Sequence, residues 1–472
     1  MRSTPDNAVE EIWKAFDTTR SLLRLDQAYL YILGIVGLKS LSDRGDDETV
    51  RWSEIVSESY DMGVTLNAAL SRVEVAYPEY LGWFGDLDYN LKAFGDHKAL
   101  NSFWQPVVSA IAKIDFAEML DRDPLALHRL CIELSERVSL GSGARGRFEE
   151  PEGLAALMSA LLAPRDGQTI YDPFCMNGAA LLSASLLAKD RDPGAGLDLY
   201  AQTLDRKAAQ NICLNMLVAG EHDTHVAASD IIRDPGFIDG RNVKTFDRIL
   251  CTLPFGIKSW GGEIAQYDPF GRFVYGLPPA TQGDFAYLQH CIASLADDGV
   301  LVAVVPLSLL FKERREGEIR RRIIEADLIE AVISLPPKLL LQTSVSTALL
   351  VIRRTKPEER KDKILFVNAS KGFLPGRSQN ILRDEDIAAI EKAYMTFSEK
   401  DKFSTVCSIK IIAEQDFSLI VSDYVIETPD LEVTLDLGEA VQELDRLRRQ
   451  RAGQYERMNT MLAKLMEEGE GD

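Results

Sequence analysis

Three aspartates follow short apolar runs in a way that suits ligand binding. Thr169-Ile-Tyr171 ends in Asp172, Gly196-Leu197 ends in Asp198, and His225-Val-Ala-Ala ends in Ser229-Asp230. In a chain where strands alternate with helices, ligands bind beyond the carboxyl ends of the strands. An acid after the second strand takes the two hydroxyls of a ribose, and one after the third could face an adenine amino group. The three together point to an adenosine-containing cofactor, although each alone would serve equally well as a turn former or helix cap. The first acid belongs to Ile170-Tyr-Asp-Pro-Phe-Cys-Met-Asn-Gly-Ala179, read as a buried strand, a turn containing Gly178 and the start of a helix. That arrangement aims backbone N–H groups at a ligand. It is not a GxGxxG dinucleotide loop, which weakens a dehydrogenase reading, and the chain has no Walker phosphate loop. A fourth strand ends in Asp247-Arg-Ile-Leu-Cys-Thr-Leu-Pro-Phe-Gly256.

The elements that must position these residues follow from apolar periodicity. Residues 1–145 read as a helical domain: Trp13, Phe16, Leu22, Leu23, Ala28, Tyr29, Ile32, Leu33, Val36 and Leu38 suit one helical face. Ser139-Leu-Gly-Ser-Gly-Ala-Arg-Gly146 marks a boundary. From there, residues 146–427 form an α/β domain with a C-terminal extension. Short apolar runs, including Val300–Val305, Leu328–Ile333 and Ala348–Ile352, alternate with helical patterns. This predicts a doubly wound, mainly parallel sheet with helices on both faces. From about residue 356 the extension is charged and less regular, with one helix at Asp384–Phe397. Residues 428–472 hold a helix with a heptad-like seam of Leu437, Val441, Leu444, Tyr455, Met458, Leu462 and Leu465, which suits packing on a partner helix or on its own domain.

At the fourth strand the chain resembles the N6-adenine DNA methyltransferases, most of all the modification subunit of type I restriction–modification systems. The family reads roughly DPxCGSGG at the first loop and NPPF or NPPY at the fourth strand. Gly146-Arg-Phe-Glu-Glu-Pro151 is similar to the family's GxFxTP segment, and Ile32–Arg44, Phe285–His290, Glu330–Pro337, Asn368–Lys371 and Gln379-Asn380 resemble further blocks in order. The resemblance implies a methyltransferase-type fold and S-adenosyl-L-methionine as cofactor, held by Phe148, Glu150, Asp172, Phe174, Cys175, Asn177, Gly178, Asp198 and Asp230. It implies transfer of a methyl group to the exocyclic amine of a flipped adenine, with Thr252, Leu253, Pro254 and Phe255 as the catalytic turn. There an Asn side chain and the next carbonyl accept the amine's hydrogens while the aromatic ring stacks on the base. It also implies double-stranded DNA, a sequence-specificity subunit docked on the C-terminal helix, a second copy and a restriction subunit as partners. Three departures stand at the pocket. Thr252 and Leu253 replace Asn and Pro, Met176 and Asn177 replace Gly and Ser, and Glu150 replaces Thr. They motivate an alternative: a methyltransferase-fold DNA-binding or assembly subunit with weakened or lost catalysis.

Composition narrows the partners. The 472-residue chain carries 53 Lys and Arg against 73 Asp and Glu, a net charge of −20. This argues against a simple basic nucleic-acid module and favours a subunit that relies on another chain for its grip on DNA. The polar, acidic Met1–Glu10 is unlike a secretory signal and no apolar run is long enough for a membrane span, so a cytoplasmic protein is expected. Six dispersed cysteines form no CxxC, and His222-Asp-Thr-His225 has no third ligand nearby, so no metal is expected. Lys312–Arg322 mixes acids with bases, and its i,i+4 Glu–Arg pairs suit a solvated face. Arg353, Arg354 and Lys356 form a second short positive run.

Overall fold

A computed structural model describes residues 5–426, apart from 20–21, 47, 59–60, 91–96, 143–149, 341–344 and 377–378, together with residue 446. The chain divides into two units, Met1–Val425 and Ile426–Asp472. The C-terminal helix expected from the heptad pattern falls outside the described residues except at Arg446.

Helices α1 (Pro5–Thr19), α2 (Leu25–Asp43), α3 (Trp52–Ser57), α4 (Met62–Ala76), α5 (His97–Ile111), α6 (Phe116–Arg122) and α7 (Ala126–Ser142) build the N-terminal part. The apolar residues read as one face fall in two helices, with Leu22 and Leu23 in the turn between them. α2 is buried on every side, from Ala28 round to Leu41, because it is the central helix against which the others pack. α8 (Glu152–Leu162) then leads into β1 (Thr169–Asp172), α9 (Ala179–Arg191), β2 (Asp198–Thr203), α10 (Arg206–Ala219) and β3 (Thr224–Ala228). A short hairpin, β4 (Ile238–Asp239) and β5 (Asn242–Val243), precedes β6 (Phe246–Thr252). There follow α11 (Gly262–Ala265), α12 (Asp284–Ala293), β7 (Leu295–Pro306), α13 (Arg314–Glu325), β8 (Ile329–Ser334) and β9 (Thr347–Arg353). β10 (Lys363–Asn368), α14 (Asp384–Thr396), β11 (Ser404–Ser408) and α15 (Ile409–Glu414) complete the unit.

Nine strands form one sheet in the order β11-β10-β8-β9-β7-β6-β1-β2-β3. β9 and β11 pair antiparallel with their neighbours, and the remaining pairings are parallel. The doubly wound α/β expectation is met. The charged stretch after residue 356, read as an irregular extension, adds two strands, β10 and β11, to the sheet. β11 is an edge strand, which tolerates polar residues.

Alternation along the strands sends successive side chains to two cores. Val300, Val302 and Val304 of β7 join Ile170, Leu250 and the N-terminal helices on one face. Leu301, Ala303 and Val305 join Cys251, α12 and α13 on the other. The strand order reverses between β1 and β6, and this is the switch point where an open α/β sheet forms its ligand crevice.

Candidate functional site

The loop between β1 and α9 is held from three directions. Asp172 closes β1 and its Oδ1 accepts the Phe174 N–H at 3.0 Å. The Cys175 N–H donates to the Gln202 carbonyl, tying the loop to the end of β2. Gly178 precedes α9 with φ +82°, the left-handed region that favours glycine. The Asn177 side chain accepts the Ala179 N–H at 2.9 Å, and its carbonyl accepts from Asn215 of α10. Asn215 in turn accepts from the Tyr29 hydroxyl of α2, so the N-terminal helices brace this loop. Gln202, wholly buried, accepts from Tyr171 at 2.8 Å and donates to Ser229, linking the ends of β1, β2 and β3.

Across the switch point, β6 ends in Thr252 and runs into Leu253-Pro254-Phe255. Leu253 is buried, and its N–H donates to the Val304 carbonyl. The Gly256 N–H donates to Asp284, whose other oxygen accepts from Lys312 at 3.0 Å. Among the described residues, the buried Thr252 hydroxyl has no well-aligned hydrogen-bond partner.

Together these segments enclose a cavity of about 400 Å³ lined by Phe174, Met176, Thr203, Asp230, Thr252 and Pro254, among others. That volume lies in the range of small-ligand and cofactor sites. Phe174 meets Tyr287 edge-on at 5.3 Å on its wall. The Asp230 carboxylate is occupied within the protein: it accepts the Ile232 and Arg233 N–H groups and pairs with the Arg233 guanidinium at 2.8 Å.

A second, much smaller hollow lies beside Glu150, Pro151, Asn177 and Ala179. Glu150 is half-buried as a residue, but its carboxyl is enclosed near Thr252 and the buried Asp172. Burial pushes the Glu150 carboxyl above the usual range, tempered by the nearby Thr252 hydroxyl and amide. That hydroxyl is close enough to soften the charge, but its geometry falls short of an aligned hydrogen bond. Asp172 is pushed well up by burial and by the Glu150 charge. Two enclosed carboxyls that cannot both ionise cheaply favour holding one of them protonated.

The sequence-read residues are therefore distributed unevenly. Phe174, Asp230, Thr252 and Pro254 line the larger cavity, and Glu150 and Asn177 line the smaller hollow. Asp172, Cys175 and Gly178 shape the intervening loop, and the half-buried Phe255 touches both cores. Phe148 falls outside the described residues. Asp198 is a correction. It begins β2 rather than ending it, and pairs with Tyr200 at 2.9 Å and His225 at 3.0 Å at the opposite end of the strands. The end of β2 is Thr203, followed by Asp205, which caps α10 through the Lys207 N–H and lines the cavity. Gln202, Asp205 and Tyr287 were not singled out in sequence. An acid capping the helix after the second strand was the available signal for Asp205.

The positive run at 312–322 forms the start of α13 with i,i+4 pairs Arg321–Glu325 and Arg322–Glu318. His222 stacks on Tyr77 at 4.4 Å while His225 lies in β3. All six cysteines are buried and unbridged. No helix among the described residues is long and apolar enough to cross a membrane.

Residues 136–432 match the family model described as N-6 DNA Methylase, which spans the sheet and the whole of this site. The chain belongs to the N-6 DNA methylase family. Within the family it is similar to the type I restriction enzyme MjaVIII methylase subunit of Methanocaldococcus jannaschii, 26% identical over 95% of this chain and 76% of that protein. The HindI methylase subunit of Haemophilus influenzae is 28% identical over 61% of this chain and 66% of its own length. Among solved structures, the type I restriction–modification methyltransferase subunit of Streptococcus thermophilus superposes with a TM-score of 0.75 at 25% identity, covering 90% of this chain and 100% of that one. A chain from a type I restriction–modification assembly shares the fold, with a TM-score of 0.61 at 18% identity over 98% of this chain and 99% of its own. The mainly parallel, doubly wound sheet is that of the methyltransferase fold, with the cavity at its switch point.

Proposed function

We propose that the chain is the catalytic subunit of a type I-like modification complex, transferring a methyl group from S-adenosylmethionine to the N6 amine of adenine in double-stranded DNA. The observation that carries this reading is the cavity of about 400 Å³ in which the loop after β1, Asp230 and the Thr252–Pro254 turn meet. When bound, S-adenosylmethionine supplies an electrophilic methyl group on a positively charged sulfur. Phe174, Thr203 and Asp230 would surround its nucleoside, and the loop carrying Cys175, Asn177 and Gly178, with Phe148, Glu150 and Asp172, its amino-acid end.

The chain's own contribution is to orient the acceptor amine. That amine is a poor nucleophile because its lone pair is delocalised into the ring. Two acceptors on its hydrogens localise the pair, and the orphan Thr252 hydroxyl and the Leu253 carbonyl are suited to this. A hydroxyl that accepts there must donate elsewhere, and the neighbouring Glu150 carboxyl is an acceptor beside it. Phe255 stacks on the flipped base. These roles amount to positioning and electrostatics. The N-terminal segment 1–145, the sheet domain 146–427 and the segment 428–472 are the working divisions. The last would dock a sequence-specificity subunit in the cytoplasm, with a second copy and a restriction subunit completing the assembly.

One observation favours a second reading. The Glu150–Asp172 carboxyls lie beside the loop that would receive the cofactor's own carboxylate, and like charges there oppose binding. On that reading the chain keeps the fold as a DNA-binding or assembly subunit with weakened catalysis. Calorimetric titration with S-adenosylmethionine, followed by transfer of a labelled methyl group to DNA in the presence of the specificity partner, separates the two. Binding with transfer supports the enzyme. Neither one, with the partner present, favours the assembly role.

A further inference from the structure

At the strand ends opposite the candidate site, a cavity of about 570 Å³ opens beside the first residues of β6 and β7 and the last of β9. Arg248 of β6 and Arg353 of β9 are each in register with Val300 of β7. Cross-strand partners point to the same face, so the two guanidinium groups flank Val300, about 10 Å apart at the backbone. Arg165, Lys356 and Arg360 bring the lining to five cations. This concentration stands out in a chain of net charge −20.

The counter-charges do not match the cations. Glu330, wholly buried, is shared by Arg353 at 3.0 Å and Arg360 at 3.3 Å, and also accepts from Tyr394. Lys356 pairs with Asp327 at 2.5 Å. Asp247 also lines the cavity, but its carboxylate is committed to the Thr169 N–H and hydroxyl. Asp298 is exposed at the rim. Among the described residues, neither Arg248 nor Arg165 has a carboxylate within 4.0 Å. Arg248 is instead fixed by two main-chain carbonyls, Leu162 at 3.0 Å and its neighbour Asp247 at 2.8 Å. Burial first, and then the adjacent Arg353 charge, push its pKa down, with Asp247 opposing the shift in part. The buried Arg360 Nε likewise lacks a hydrogen-bond partner among the described residues. The remaining wall is apolar, with Leu161, Pro357 and Met395 beside the Tyr394 ring.

We propose that this cavity binds a small phosphorylated anion, with Arg165 and Arg248 as its principal ligands. Guanidinium groups take phosphate oxygens in bidentate fashion. A half-open cavity with one apolar wall suits a small phosphate-bearing molecule better than the convex backbone of a duplex. The source of the phosphate is either an inorganic polyphosphate or a nucleotide whose base lies on the Tyr394 side.

The test uses the full chain. Calorimetry and thermal shift are run with sodium pyrophosphate, orthophosphate and ATP without divalent metal, with sodium chloride at matched ionic strength as the control. The same titrations are repeated on Arg248→Gln and on Arg165→Gln, the latter a change at an exposed side chain that leaves folding intact. Saturable binding of pyrophosphate or ATP is expected, with stabilisation that grows with the logarithm of ligand concentration. Either substitution should weaken it at least tenfold. Tighter ATP than pyrophosphate identifies a nucleotide site, and equal affinity identifies a phosphate site. The proposal is overturned if no phosphate compound saturates at millimolar concentration or if both variants bind as the parent does. It is also overturned if the variants lose DNA affinity while small-anion binding stays unchanged.

Discussion

Arg272→Met tests whether one buried guanidinium holds the roof of the candidate site. Arg272 lies within the 256–283 segment that follows the Thr252–Phe255 turn, and its side chain is 2% exposed. It pairs with the buried Asp268 at 2.8 Å and donates to the carbonyls of Ile231 at 2.7 Å and Ile232 at 2.8 Å. A further contact reaches His290 of α12 at 3.1 Å. Through these bonds it ties the loop after β3, which carries Asp230, to the loop after β6. Methionine keeps much of the volume and removes the donors. Two carbonyls and a buried carboxylate then lose a partner. An unmet buried acceptor costs about 1–3 kcal/mol, and removing one member of a buried ion pair costs about 3–5 kcal/mol. The penalties overlap because Asp268 keeps the Arg272 N–H at 2.7 Å. A net loss of about 3–5 kcal/mol is expected.

Urea unfolding followed by intrinsic fluorescence reads this as a shift in midpoint, and Trp260, one of five tryptophans, contributes from this segment, where it packs against Phe273 with ring centroids 6.0 Å apart. Circular dichroism on the same samples shows whether the sheet unfolds with the loop or after it. The double variant Asp268→Leu/Arg272→Met should recover part of the loss, since an apolar pair leaves no orphan charge. A loss below about 1 kcal/mol in the single variant would refute the reasoning, as would a double variant no more stable than the single.

Other expectations concern the site and its supports. In Glu150→Gln one of two carboxyls with raised pKa is removed. The contribution of this pair is fullest below the unfolded carboxylate values at pH ~4 and is lost as pH rises through the raised ones. The variant's Tm should therefore exceed the parent's at pH 8, with the gap closing toward pH 4; a gap independent of pH contradicts the coupled pair. Thr252→Asn should raise the rate of methyl transfer to DNA with cofactor affinity unchanged, and an unchanged rate in a single-turnover assay would show that the acceptor residue is not limiting. Gly178→Ala meets φ +82° and a Cβ position 2.6 Å from the flexible Met216 terminus, so a loss of about 1–2 kcal/mol is expected, measurable by denaturant midpoint. At Glu221, burial is outweighed by His128 and Lys189, which bring the carboxyl down to about 2. Its contribution, of order 2–3 kcal/mol, is present above pH ~4.3 and lost as pH falls toward 2. Glu221→Gln should be less stable than the parent at neutral pH and similar to it near pH 2 in an acid-unfolding series.

What was legible before folding follows from how much each signal depends on neighbours in sequence. Apolar runs closed by turn formers gave away β1 with its Asp172 loop and β6 with its Thr252–Phe255 turn. Buried parallel strands must be continuous in apolar residues, and the loops at their ends carry local constraints such as the positive φ of Gly178. β2 misled for the opposite reason. It holds Tyr200 and Gln202 and closes on Thr203, polar residues that break an apolar run, so the pair Gly196-Leu197 reads as the strand and Asp198 as its end. The burial of Gln202 is tolerable because it finds Tyr171 on β1 and Ser229 just after β3. β10 and β11 were hidden differently: apart from Lys363 they carry no charge, but the charged segments 356–362 and 399–402 that precede them mask two short strands.

The sequence by itself determined the alternation of strands and helices, the family blocks and the three substitutions at the pocket, because each is written in contiguous residues. Tertiary structure decided which acids are engaged, which carboxyls share an enclosed space and where cations gather. Asp230 and Arg233 are three residues apart, but Arg272 and Ile231 are separated by 41, and Arg248 and Leu162 by 86. Desolvation and hydrogen-bond satisfaction are properties of three-dimensional neighbours, and only the packed sheet brings those neighbours together.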